Sequence, residues 1–376
     1  PAQQARDAGA ELLLLPNASP YCDTKLSQRL DTLADRHSDC GLPIVYSNLV
    51  GGQDELVFDG RSMLMDANGG FSIDGRPCEE GLLMACFEPS SGGLWFEGDK
   101  QRSNLDAKTI RAEVDLIACI YTVLVRGLHD YVTKNGFSDI VIGLSGGIDS
   151  ALTLALAVDA LGADQVHAVM MPSRHTSDLS MDLAREQADM LGVTYREISI
   201  EPTYQSLLSA MQPSFDGRQQ DITEENIQAR IRGSMLMALS NKFGWLVLAT
   251  GNKSELAVGY STIYGDMCGG FSPIKDCLKT RVYELSRYRN TLAPAVPKAV
   301  IDRLPSAELA PDQFDQDTLP PYEILDQILY HYIELDWSIA EIVAAGFEED
   351  VVRKVAGMVI RNEHKRRQGA PGVRIT

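Results

Sequence analysis

The segment Ser145-Gly146-Gly147-Ile148-Asp149-Ser150 sets two hydroxyls, paired glycines and one carboxylate between an apolar run, Ile140–Leu144, and a helical pattern, Ala151–Leu161. Residues of these types in this order suit a phosphate chain. Paired glycines let the backbone turn sharply and approach a ligand with no Cβ in the way. The unbonded amides at the start of the following helix, with the positive end of its dipole, attract an anion. Ser145 and Ser150 add hydroxyl donors. Phosphate alone would repel Asp149, so a carboxylate here points to a bridging Mg²⁺. The plainer alternative is a glycine-rich turn whose Asp149 and Ser150 cap the helix. A bare pair of glycines would favour that alternative; the full string, flush between strand and helix, favours phosphate.

Such a site needs a sheet edge to carry it. From Ser138 onward, strand-like runs at Ile140–Leu144, Val166–Met171, Thr194–Ile200 and Trp245–Thr250 alternate with helical patterns at Ala151–Leu161, Leu179–Leu191, Thr203–Met211 and Glu224–Phe243. The alternation predicts an α/β fold, a doubly wound parallel sheet with right-handed crossovers. Ligands of such sheets bind beyond the carboxyl ends of the strands. An acidic, loop-rich stretch over 304–322 precedes two last helices, near Tyr322–Ala345 and Asp350–Arg367.

The region before Ser138 reads differently. Apolar runs at Glu11–Pro16 and Pro43–Val50 flank a helical pattern at Leu26–Cys40, and residues 51–75 alternate short β-prone stretches with Gly and Asp turns. Residues 88–104 are polar and Gly/Ser-rich. Asp115–Asn135 has helical spacing, with Leu116, Ile120, Leu124, Leu128 and Tyr131 on one face and Gly136 as the stop. These features predict a first domain over 1–97, a linker over 98–114 and a second domain over 115–376. The chain opens on Pro1 in what reads as the end of a helix, and the expectation is that a further portion precedes it.

With 376 residues, the chain is long enough for two cores. Its net charge of −18 argues against a nucleic-acid backbone as partner, since that surface rewards Lys and Arg. An acidic protein that binds nucleotides must neutralise them locally, with metal, backbone amides and a few placed cations. No unbroken apolar run approaches the roughly 20 residues that span a bilayer, and no signal peptide is visible. Seven cysteines form no CxxC pair or zinc spacing, so reduced thiols in a cytoplasmic protein are expected.

The SGGIDS string resembles the phosphate-binding motif of the N-type ATP pyrophosphatases, which cleave ATP between the α and β phosphates. Residues 246–288, LVLATGNKSELAVGYSTIYGDMCGGFSPIKDCLKTRVYELSRY, are similar to the NAD synthetase block within that group. MPSRHTSD, ENIQARIRG and NEHKRRQ resemble its other landmarks. The resemblance covers nearly everything from about Asp115 to the end and implies the adenine nucleotide alpha hydrolase-like fold. Residues 1–97, with NASPY and LVGGQDELVFDGRS, look like the later part of the nitrilase-like glutaminase domain of glutamine-dependent members. The Glu-Lys-Cys triad of that domain would lie before Pro1, and Cys22 stands where the family has no nucleophile. Since the family chain usually continues past Thr376, a clipped C-terminus is also expected.

The resemblance implies that the nicotinate carboxylate of deamido-NAD attacks the α-phosphorus of ATP. An acyl-adenylate and pyrophosphate form, and ammonia, from glutamine in the intact protein, then yields NAD and AMP. Positioning and charge neutralisation dominate such chemistry. Asp149 and Glu255 are the expected Mg²⁺ ligands, with Lys279 as the phosphate-contacting lysine. Ser145, Gly146, Gly147, Ser150, Thr250 and Ser306 are expected at the nucleotide. The backbone of Val169–Met171 is expected at adenine. Arg174 would also serve the nucleotide, beside a lid over Ser173–Ser180 that shields the acyl-adenylate from water. Asn226 and Arg230, four apart on one helix face, would hold deamido-NAD together with Asp266, His364 and Lys365. In the first domain, Ser19, Lys25 and Arg29 are candidates for an amino acid's carboxylate.

Simpler readings stand beside these. Glu255 in the first turn of a helix needs only the helix dipole to explain it, and the basic EHKRR cluster suits a helix C-terminus. Two rival functions remain: another SGGxDS amidotransferase such as a GMP synthetase, or a nucleotide-binding sensor that would keep the glycines but need neither Asp149, Glu255 nor Lys279. The resemblance also implies a homodimeric core.

Overall fold

The computed structural model describes residues 1–73, 76–97, 105–306, 308–310 and 314–376. By contacts the chain divides into two compact units, 1–127 with 374–376, and 128–373.

The first unit contains helices α1 (Ala2–Asp7), α2 (Lys25–Cys40) and α3 (Ala107–Glu113), with strands β1 (Leu13–Asn17), β2 (Ile44–Asn48), β3 (Val50–Gln53), β4 (Leu56–Asp59), β5 (Met63–Met65), β6 (Phe71–Ile73), β7 (Ala85–Glu88) and β8 (Gly93–Phe96). Strands β1, β2, β5 and β6 form one sheet in that order, parallel only between β1 and β2. Leu30 and Leu33 of α2 pack with Ile44, Tyr46, Met63, Met65 and Phe71. The polar, Gly/Ser-rich stretch over 88–104 begins in the β7–β8 hairpin, because Leu94-Trp95-Phe96 gives it an apolar strand to pair. Helix α3 occupies the later part of the expected linker, started by Asp106, whose side chain accepts from the Thr109 amide; residues 98–104 lie outside the described residues. Arg29 is 5% exposed and bonded to Asp59 at 2.8 Å and to Ser19, so it is a core cation rather than an open carboxylate receptor.

Helix α4 (Leu116–Lys134) runs through the division and is long and apolar enough by composition to cross a membrane. The sequence conceals this because Arg126, His129 and Asp130 interrupt the apolar run. On the folded helix Val123, Leu124, Leu128 and Val132 are fully buried, Arg126 and His129 keep contact with solvent, and Asp130 is buried but paired with His129 and Lys134. This is the pattern of a core helix with one wet face.

The second unit holds helices α5 (Ile148–Leu161), α6 (Asp178–Leu191), α7 (Glu201–Phe215), α8 (Ile222–Phe243), α9 (Lys253–Val258), α10 (Lys279–Leu292), α11 (Lys298–Asp302), α12 (Tyr322–Leu329), α13 (Ile339–Ala344), α14 (Glu349–Arg361) and α15 (Glu363–Arg366). Its strands are β9 (Ile140–Gly143), β10 (Val166–Met170), β11 (Thr194–Glu197) and β12 (Leu246–Leu248). All pairs are parallel, in the order β11-β10-β9-β12, the doubly wound α/β arrangement expected from the alternation. Val141, Val169 and Val247 face α7 and α8. Ile140 and Ile142, on the opposite face, are equally sealed from water, and α5 packs on that side of β9 and β10. Because β9 and β10 are sequence neighbours and β12 joins the other side of β9, the strand order reverses there, and the crevice opens beyond Gly143.

Both of the last expected helices are divided, Asp350–Arg367 at Asn362 into α14 and α15. Tyr322–Ala345 becomes α12, a π-turn at Tyr330–Glu334 and α13. Asp336 adopts φ +53, which no helix accommodates, and Ser338 with Glu341 forms a capping box that starts a new one.

Candidate active site

Strand β9 delivers the chain to Ser145 and α5 takes it away at Ile148. Gly146 has φ +77, and a Cβ there would lie 2.4 Å from the Ser180 carbonyl oxygen, so the position admits only glycine. Ser150 Oγ accepts from the Ser145 amide at 3.2 Å, lies 3.1 Å from Ser145 Oγ and donates to the Gly147 carbonyl at 3.0 Å. The two serines therefore brace the loop from inside. Gly147, at the N-cap of α5, offers no side-chain acceptor, which leaves the first amides of a 14-residue helix facing the crevice.

Asp149, in the first turn of α5, meets the second cluster. Lys279 Nζ lies 2.5 Å from Asp149 Oδ2 and 2.8 Å from Glu255 Oε1. Asn252 Nδ2 donates to Asp149 Oδ1 at 2.8 Å, while Asn252 Oδ1 accepts from the Glu255 amide as N-cap of α9. Lys279 is 2% exposed and its ammonium stands 5.2 Å from the Tyr322 ring centre. Burial alone would lower the Lys279 pKa, but the two carboxylates outweigh it and hold the ammonium above its ordinary range. Burial, opposed by Lys279 and reinforced by Asp149, pushes Glu255 up to about 7. Asp315 adds a third buried carboxyl, raised by burial and bonded to Tyr322.

These groups line one cavity of about 280 Å³ at the carboxyl ends of the strands. The expected residues that line it are Ser145, Gly147, Asp149, Ser150, Met171, Thr250, Glu255, Asp266, Lys279 and Ser306. Gly146 lies behind the wall, against Ser180. Among the described residues no three His, Cys, Asp or Glu side chains gather as a metal cage. Asp149 and Glu255 nonetheless aim at one point, the Lys279 ammonium. Two carboxylates beside a phosphate site fit Mg²⁺, which keeps waters and shares substrate oxygens.

Five expected contacts are placed elsewhere. Arg174 is half-exposed and paired with Glu201, with Tyr204 beneath it. In the segment expected as a lid, Ser173 and Thr176 close a turn, and Ser177 caps α6. Asn226 and Arg230 do share a helix face, but they hold the following loop: Thr262 Oγ1 donates to Asn226 Oδ1 at 2.8 Å, and Arg230 Nε donates to the Ile263 carbonyl. Lys365 donates to the Gly259 and Ser261 carbonyls at 2.7 Å each, and His364 is exposed with Nδ1 at the Arg361 carbonyl. Carbonyls of the 259–263 loop compete for these cations, and the result is a braced loop that carries Asp266. The Thr262 amide donates to Asp266 Oδ1 at 2.7 Å, and surrounding protein pushes its carboxyl up to about 6 although the residue keeps more than a third of its surface accessible.

Other cavity residues escaped the sequence reading. Arg232 Nε donates to the Met171 carbonyl at 3.0 Å, and burial lowers its guanidinium to about 10. Arg303 reaches Ser180 Oγ at 2.8 Å and Glu308 at 3.1 Å. Helical spacing held the signal for Arg232, since Ala229, Gly233 and Leu236 share its stripe on α8 and line the same cavity. No local signal marks Arg303 or Asp315, which reach the cavity only through the path of the chain after α11.

A family profile described as NAD synthase matches residues 120–369. A glutamine-dependent NAD(+) synthetase of Xanthomonas campestris pv. campestris is 51% identical over all of this chain and 67% of its own. The solved glutamine-dependent NAD+ synthetase of Acinetobacter baumannii, in complex with ADP, is 45% identical with a TM-score of 0.74, over 99% of this chain and 66% of that one. An NMN synthetase from Francisella tularensis, 29% identical with a TM-score of 0.58, matches 66% of this chain and 95% of its own. The chain thus spans about two thirds of the length of the glutamine-dependent relatives it matches.

Proposed function

The chain belongs to the NAD synthase family, and from that premise we propose that it amidates deamido-NAD to NAD, using ATP and releasing AMP and pyrophosphate. The observation that carries this reading is the convergence of Asp149, Glu255 and Lys279 beside a glycine-rich loop whose helix amides are uncapped. The relatives described above are NAD and NMN synthetases, which favours this reading over the rivals, a GMP synthetase or a sensor. A sensor would also gain nothing from burying a lysine between two carboxylates.

In this reading the loop amides and the hydroxyls of Ser145 and Ser150 hold the ATP phosphates. Lys279 exchanges a carboxylate for a phosphate oxygen and remains charged as negative charge gathers at the α-phosphorus. Asp149 and Glu255 would hold Mg²⁺, which supplies Lewis-acid neutralisation of the phosphates. The Met171 backbone, held by Arg232, presents the adenine wall. Asp266 faces the deamido-NAD side of the cavity, where an ammonia molecule must meet the acyl-adenylate. In the glutamine-dependent relatives' manner, that ammonia is supplied by glutamine hydrolysis; free ammonium serves the second unit directly. A homodimer fits the exposed Leu207, Met211, Ile222, Met237 and Phe243 on α7 and α8.

The test is product analysis. Incubation with ATP, deamido-NAD, Mg²⁺ and ammonium should yield AMP, pyrophosphate and NAD in equal amounts. ADP and phosphate as products would refute the reading.

A further inference from the structure

Helix α10, which presents Lys279, begins without a cap of its own. Its N-cap is Leu278, which has no side-chain acceptor, although the first amides of a helix require partners. Those partners come from two other helices. The Lys279 amide donates to Ser254 Oγ at 2.8 Å, and the Thr280 amide donates to Asp326 Oδ2 at 2.8 Å. Ser254 Oγ in turn donates to Asp326 Oδ1 at 2.5 Å. Ser254 immediately precedes Glu255 on α9. Asp326 lies on α12, one turn after Tyr322, whose ring stands against the Lys279 ammonium.

Ser254 is fully buried and Asp326 is 3% exposed. A buried carboxylate is costly unless its oxygens are bonded. Here both oxygens are bonded, and the positive end of α10 compensates the charge. No Lys or Arg side chain among the described residues is bonded to Asp326. A serine or asparagine would suffice to cap one helix. The carboxylate does more, because its two acceptors tie the first turn of α9 to the first turn of α10. Those turns carry Glu255 and Lys279, which lie 2.8 Å apart.

We propose that Asp326 is a positioning residue for the adenylating step, holding Glu255 and Lys279 in register through Ser254 and the Thr280 amide. The proposal rests on the role given above to Glu255 and Lys279. Asp326 touches neither substrate nor reacting atoms, and it has no bond to the glycine-rich loop or the adenine wall. Its loss should therefore slow the chemistry more than it weakens ATP binding, which keeps its contacts with the loop and the adenine wall.

Asp326→Asn preserves shape but sets an NH₂ against a donor. With ammonium as nitrogen source, kcat should fall roughly 10- to 100-fold, the scale of a misplaced catalytic group, a larger change than the rise in KM for ATP. Ser254→Ala, which cuts the link between the helices and leaves Asp326 bonded to Thr280, should give the same split. It decides the matter if Asp326→Asn does not fold. A second readout does not depend on turnover: acylation of Lys279 by an amine reagent, measured by mass spectrometry against exposed Lys242. Released from its carboxylates, Lys279 should be acylated several-fold faster in both variants. Parental labelling of Lys279 in folded Ser254→Ala overturns the assignment whatever the rates, as does a parental kcat. If the parent protein makes no NAD, the proposed function fails, and the labelling alone then decides the role of Asp326.

Discussion

Asn252 donates to Asp149 across 2.8 Å and so joins the glycine-rich loop after β9 to the loop after β12. The same side chain caps α9 through the Glu255 amide at 3.0 Å. One amide thus sets the distance between two carboxylates from different parts of the sequence.

Replacing Asp149 by Asn should lower the adenylation rate about 10²- to 10³-fold, the usual loss when a placed charge is removed. Asn252→Ala should cost less in rate and about 1 kcal/mol in stability, the worth of an N-cap. Because the two residues act as a unit, the double variant should be no slower than Asp149→Asn alone. Fully multiplicative losses in steady-state rates would show them to be independent.

Gly146→Ala tests the closeness of the loop to α6. The left-handed backbone alone costs a non-glycine residue about 1–2 kcal/mol, and the added methyl meets the Ser180 carbonyl oxygen. The loop must shift, so both denaturation midpoint and ATP affinity should fall. A variant that binds ATP as the parent does would mean that the loop tolerates displacement.

Arg174 and Arg303 were opposite in legibility and should be opposite in effect. Arg174→Ala removes an exposed pair worth about 0–1 kcal/mol, so KM for ATP should stay within about threefold. Arg303→Ala removes a cation that lines the cavity. A hydrogen bond to a charged group is worth about 1.5–3 kcal/mol, so KM should rise roughly 10- to 100-fold. The reverse ranking in saturation kinetics would restore Arg174 to the site.

Glu255 couples stability to pH in the metal-free protein. Its carboxyl is raised from 4.5 to about 7 by burial. The stability it contributes is therefore complete below pH 4.5 and is lost as pH rises through 7. Glu255→Gln has no such loss, so its stability relative to the parent should rise from pH 5 to pH 8. Urea denaturation in chelator at both values measures this; a difference that falls with pH would place the burial cost elsewhere.

Glu255 and Lys279 were expected through the resemblance to the NAD synthetase block, whereas the sequence alone determined the parallel α/β frame and the glycine-rich loop with Asp149. Each is local: strand and helix periods repeat within a few residues, and the chemistry of SGGIDS is written in adjacent positions. The expected deamido-NAD contacts were less legible. Arg230 and Lys365 are cations of suitable type, but a folded chain offers them carbonyls of the 259–263 loop, Asn226 accepts from the Thr262 hydroxyl, and geometry alone decides which partner lies nearer. Tertiary structure likewise decided what Asp326 does. A carboxylate on an amphipathic helix looks like a solvated charge in the sequence, whereas here it lies 2.8 Å from the Thr280 amide, distant in sequence. Capping in trans depends on where two helix starts meet in space, and no spacing along the chain encodes that distance.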